Sequence, residues 1–102
     1  MSDLQYEIGI WHQDHFPDCS LTRIVLKVCE EAGELAKAHE YRLNSDWPER
    51  ALTEAEENEI ADVAISLMAL CQRGGASFEQ VVARKWREVK ARSAARVKDG
   101  GR

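Results

Sequence analysis

From Ile60 to Cys71 the chain is apolar almost all the way round a helical wheel, broken only by Asp62 and Ser66. A helix of that kind needs cover on most of its sides. Its ends are marked: Thr53 followed by Glu56 is a capping box that opens it, and Gly74-Gly75 stops it. With 102 residues in all, the rest of the chain must supply that cover or a second copy must.

Three further helical segments can be read, and no strand. The first is expected over residues 3–16, with Leu4, Ile8 and Trp11 as its apolar stripe and Pro17 as its stop. Ser20 is the expected N-cap of the second, which continues to about Leu43 with Ile24, Val28, Glu31 and Leu35 on one stripe. Residues 44–50, with Asp46, Trp47 and Pro48, read as a loop. Ser77 with Gln80 is a second capping box, opening a fourth helix striped by Phe78, Val82, Trp86 and Val89. The expectation is an all-α, antiparallel four-helix bundle-like domain over residues 1–97, with 98–102 a disordered tail. A modest core in so short a chain implies completion by self-association, as a homodimer or a dimer of dimers.

Charge and cysteines narrow the function classes. Eight Lys or Arg from Arg84 onward face only Glu88 and Asp99, a local +6 in a chain of net charge −4, so the first 83 residues carry −10. An acidic body does not suit general nucleic-acid binding, and the basic end reads as a solvated helix face. There is no apolar run of about 18 residues and no basic-then-apolar leader, so neither a membrane span nor a secretory signal is expected. Cys19, Cys29 and Cys71 are odd in number and lack C-x-x-C spacing, which fits reduced thiols in the cytoplasm; Cys29 and Cys71 read as small core residues.

Acids stand where core residues are expected. Glu31 lies in the apolar stripe of the second helix with Glu34 one turn on, and Asp62 lies inside the most hydrophobic stretch with Glu59 three residues before it. Isolated ionised carboxylates there would cost several kcal/mol, so they call for a cation or dense hydrogen bonding. Two helices that each offer an i, i+3 acid pair can bring four carboxylates together, and oxygen-only ligation favours Mg²⁺ or Mn²⁺ over zinc. Coincidence is the competing reading, because 18 acids in a helical chain make such pairs easily; Glu54, Glu56 and Glu57 read as a solvated first turn. A di-iron bundle would need Glu-x-x-His, and none of His12, His15 or His39 has a Glu three positions earlier. His12 and His15, at i, i+3, read either as a metal pair or as an inert surface pair.

The stretch Glu30-Glu31-Ala32-Gly33-Glu34, followed by Glu59-Ile60-Ala61-Asp62, resembles the signature of the MazG-like all-alpha nucleotide pyrophosphohydrolases, Glu-Glu-x-x-Glu then Glu-x-x-Asp. The resemblance covers roughly residues 11–92. It implies magnesium-dependent hydrolysis of a (deoxy)nucleoside triphosphate to the monophosphate and pyrophosphate, in the service of nucleotide-pool cleansing. By position it makes Glu31, Glu34, Glu59 and Asp62 the magnesium ligands, with Mn²⁺ as a substitute. Glu30 becomes either the residue that orients or deprotonates the attacking water, or a surface residue. Residues 85–92 resemble the basic segment that follows the metal helices, which makes Lys85 and Arg92 candidate phosphate contacts. Val89 stands where dCTP- and dUTP-directed members often carry asparagine, and Ser66 replaces an aromatic seen in some dCTP-directed members, so the base stays open. Trp47 is a candidate to cover the base, and Trp11 is either a second such residue or part of the core. The alternative from another class is a non-catalytic helical oligomerisation module that has kept a structural metal site.

Overall fold

A computed structural model describes residues 3–43 and 51–98. Among them are four α-helices and no strand: α1 (Asp3–His15), α2 (Leu21–Leu43), α3 (Glu54–Gly74) and α4 (Phe78–Lys98). The stops and caps act as the sequence implies. Pro17 follows the end of α1, and Ser20 Oγ accepts from Arg23 N at 3.1 Å at the start of α2. Thr53 Oγ1 accepts from Glu56 N at 3.1 Å while Glu56 Oε1 accepts from Thr53 N at 2.9 Å, so both orphan donors are satisfied. Gly75 closes α3 in the left-handed conformation, φ 77°, which a residue without Cβ adopts freely. Ser77 Oγ accepts from Gln80 N at 3.3 Å, the forward half of the expected box. The fourth helix runs through Lys98, one residue into the segment expected to be disordered. Residues 44–50, Trp47 among them, and 99–102 lie outside the described residues.

The third helix is the hub. It packs most broadly on α2, next on α1 and only sparsely on α4. Its crossing with α1 is not made by the apolar stripe of that helix. Leu4 and Trp11 are exposed, whereas Gln5 and Gly9 are buried. At Gly9 a Cβ would overlap Cγ of Gln72 and lie 2.7 Å from its Cβ, so the close approach depends on the missing side chain. The Gln5 amide then links three elements: Nε2 donates to Gln72 Oε1 at 3.0 Å and to Ala76 O at 2.8 Å, and Oε1 accepts from Phe78 N at 2.7 Å. It thus satisfies an N-terminal donor of α4 and accounts for burying a polar side chain completely. Arg73 ties α3 to the end of α1, donating to Gln13 Oε1 at 2.9 Å and to the carbonyls of Phe16 and Pro17.

Several core expectations are corrected. Among the described residues only Ile24 and Ala69 are buried apolar side chains. Ile60, Asp62 and Ile65 of α3, expected to be covered, are exposed. Cys29, expected as a small core residue, is exposed too. Glu56, expected in a solvated first turn, is 2% exposed because its second oxygen accepts from or pairs with His39 Nδ1 at 2.8 Å. The Cα radius of gyration is 17.3 Å, against about 13 Å for a compact domain of this length.

Candidate metal centre

The α2–α3 packing brings three carboxylates together. Oxygens of Glu31, Glu59 and Asp62 all lie within 4.8 Å of one another. Ligand oxygens around a divalent ion with bonds of about 2.1 Å stand roughly 3 to 4 Å apart, so this trio fits a hard cation after small side-chain rotations. Glu31 and Glu59 are half-buried and Asp62 is exposed. Glu34 is exposed and stands outside the trio. Glu59 carries the electrostatic signature of the crowding: partial withdrawal from water, then the charges of Asp62, Glu31 and Glu34, hold its carboxyl above the ordinary range.

Lys27 is the residue that sequence reading missed. Its Nζ lies 2.9 Å from Glu31 and 3.8 Å from Glu30, one turn back on α2. The hydrogen bond that it donates to Glu31, then the charges of Glu31, Glu30 and Asp62, raise the pKa of its ammonium group. It is the counter-charge that the protein itself offers to the cluster. A Lys-x-x-x-Glu spacing is ordinary on a helix surface, so the signal carries weight only once α3 has delivered Glu59 and Asp62 alongside.

Two of the three carboxylates, Glu31 and Asp62, line a cavity of about 480 Å³ between α1, α2 and α3, and Glu59 stands beside them outside its lining. Its apolar side is formed by Ile8, Trp11, Phe16, Ile24, Ile65 and Ala69, and its polar side by Arg23, Lys27, Glu31, Asp62 and Ser66, with His12 and Cys19 completing the wall. Trp11 is therefore not core: it is 54% exposed and stacks on His15, ring centroids 4.1 Å apart, with Phe16 edge-on at 5.9 Å. A concave, mostly apolar wall with a few polar and charged groups at one side has the general form of a small-molecule site.

Other expected residues lie elsewhere. The Glu30 side chain is 71% exposed, within reach of Lys27 and outside the cavity lining. Lys85 and Arg92 are exposed on α4, where Lys85 pairs with Glu88 at 3.5 Å; neither lines the cavity of the single chain. His12 and His15 do not act as a pair. The ring of His15 bonds to Trp11 O at 2.8 Å, while His12 Nδ1 is buried without a partner among the described residues and its pKa is lowered, first by burial and then by Arg73.

No protein-family model matches the chain, and neither a curated protein nor a solved structure does. No described helix is long and apolar enough to cross a membrane.

Proposed function

We propose that the chain is a magnesium-dependent nucleoside triphosphate pyrophosphohydrolase of the MazG-like all-alpha superfamily, acting on the nucleotide pool of the cytoplasm. The observation that carries this reading is the convergence of Glu31, Glu59 and Asp62, two of which, Glu31 and Asp62, line an aromatic-walled cavity. These three hold the ion, with Glu34 one turn away as a further acid; oxygen-only donors suit Mg²⁺, and Mn²⁺ as its substitute. Bound there, the ion supplies charge neutralisation for the phosphates and a water of lowered pKa. Trp11 and Phe16 give the base a stacking surface, and Ile8 and Ile65 add apolar lining beside it. No Gly-rich phosphate loop of the G-x-x-x-x-G-K-[ST] kind occurs in the sequence, which favours attack nearer the nucleoside over release of the γ-phosphate.

The same reading includes an antiparallel bundle that closes by pairing with a second copy. His39 meets Glu56 while Glu31, earlier on α2, meets Glu59 and Asp62, later on α3, an order that supports opposite helix directions. Two buried apolar side chains do not make a core, and Val82 and Trp86 on α4 are 50% and 55% exposed. Both facts, with the large radius of gyration, support a homodimer or a dimer of dimers. Lys85 and Arg92 of α4, which the resemblance makes candidate phosphate contacts, do not line the cavity of one chain. Light scattering then gives a multiple of the chain mass, and a monomer at every concentration defeats this part of the reading.

The functional test is product analysis over a panel of ribo- and deoxyribonucleoside triphosphates, with and without Mg²⁺, in ¹⁸O-labelled water. Monophosphate and intact pyrophosphate are expected, with the label on the monophosphate. Orthophosphate and a diphosphate as primary products contradict the reading. Absence of any turnover favours instead a helical interaction module that keeps the acids for structural metal.

A further inference from the structure

We infer that Arg23 and Lys27, one turn apart on α2, form the phosphate grip of this cavity, and that Lys27 reaches the phosphates by leaving Glu31 when a divalent cation takes that carboxylate. The inference rests on the nucleotide reading above and names the cations of its site. Both residues line the cavity, on the same helix face as Glu31, so the order along α2 is guanidinium, ammonium, carboxylate at steps of four residues. Ile24, buried at 3% exposure, anchors this part of α2 and fixes which face the two cations present.

Charge bookkeeping gives the exchange its direction. Without metal, three carboxylates face one another and Lys27 is the cation bonded to Glu31 at 2.9 Å. A divalent ion brings twice the charge of the ammonium and binds all three acids at once. Lys27 then has little to gain at Glu31, whereas a phosphate chain entering the cavity brings several new negative charges within reach of its long stem. Its side chain is 57% exposed, and exposed ion pairs are weak, so the ammonium changes partner at low cost. Arg23, already on the cavity wall, offers the planar fork that takes two phosphate oxygens together.

Calorimetry on the full chain tests this with two probes, Mg²⁺ alone and inorganic pyrophosphate at saturating Mg²⁺. Lys27→Met is expected to bind Mg²⁺ about threefold more tightly, because a competing cation is gone, and pyrophosphate about tenfold more weakly. Arg23→Met is expected to lose pyrophosphate affinity without gaining Mg²⁺ affinity, and Lys37→Met, an exposed cation on the same helix, to change neither. All three positions are exposed, and circular dichroism verifies that the variants keep their helices. Unchanged Mg²⁺ affinity in Lys27→Met overturns the exchange, and unchanged pyrophosphate affinity in both cavity variants overturns the grip, each while the metal centre stands. Absence of Mg²⁺ binding in the parent protein overturns the inference together with the function on which it rests.

Discussion

The two ends of α3 solve opposite problems. At its C-terminal end Gln72 and Arg73 meet α1 through a polar, closely packed crossing: Gly9 removes a side chain, and the Gln5 amide spends its donors and acceptor on Gln72, Ala76 and Phe78. Nearer its N-terminus Glu59 and Asp62 meet Glu31 of α2, and three like charges share a few ångströms with one lysine. Most polar groups at the first contact answer one another within the chain, although Arg73 Nε and His12 Nδ1 are buried there without a partner among the described residues. At the second, Glu59 is held in a state that disfavours its own charge, so that end gains when a cation arrives. A helix that is locked at one end and electrostatically frustrated at the other separates the scaffold from the site.

The largest effect expected from breaking this contrast is at the acidic end. Asp62→Asn removes one charge from the trio and leaves the α1 crossing untouched. Turnover is expected to fall by roughly a hundredfold or more, since loss of a metal ligand forfeits several kcal/mol of transition-state stabilisation. The melting temperature of the metal-free protein should hold or rise, because repulsion is relieved. An Asp62→Asn protein with near-parental kcat/KM contradicts the assignment.

Next comes the locked end. Gly9→Ala drives a methyl into Cγ and Cβ of Gln72, and because Cβ cannot swing aside the helices must part. A destabilisation of about 1–3 kcal/mol is expected, measured by denaturant titration. Mg²⁺ affinity should change far less than stability does. Equal damage to both would mean that the two ends of α3 are not separable.

What could be read from the sequence divides along the same line. The helix ends were legible because Ser20, Thr53 with Glu56, and Gly75 act locally, through bonds within a few residues. Glu31, Glu34, Glu59 and Asp62 were legible as a set because acids in apolar stripes are costly alone; three of them converge while Glu34 stands outside, and Asp62 is exposed, so it is its neighbours, not burial, that crowd it. The α1 contact face was not legible. Periodicity points to Leu4, Ile8 and Trp11, yet the chain docks through Gln5 and Gly9, a choice made by close approach and hydrogen bonding with residues some 70 positions away. Trp11, freed from the core by that choice, becomes cavity wall.

The smallest expected effect is a pH slope. Because the folded chain raises the Glu59 carboxyl above its ordinary value of 4.5, the protonated form is favoured by folding. That contribution is complete below the ordinary value and is lost as pH rises through the raised one. The metal-free protein should therefore shed a little stability as pH rises from about 4.5 toward neutrality, and Glu59→Gln should flatten that part of the curve. With saturating Mg²⁺ the same segment should turn upward, since protons now compete with the ion for Glu59. Identical curves for the parent and Glu59→Gln would remove the evidence of crowding.

The central claim, that α2 and α3 together build a divalent-metal site, is tested most directly by anomalous diffraction from crystals grown with Mn²⁺. The account predicts a manganese peak within bonding distance of Glu31, Glu59 and Asp62, with Lys27 turned away from Glu31. A clean map with no peak between those three carboxylates, or manganese bound only at other residues, would contradict it.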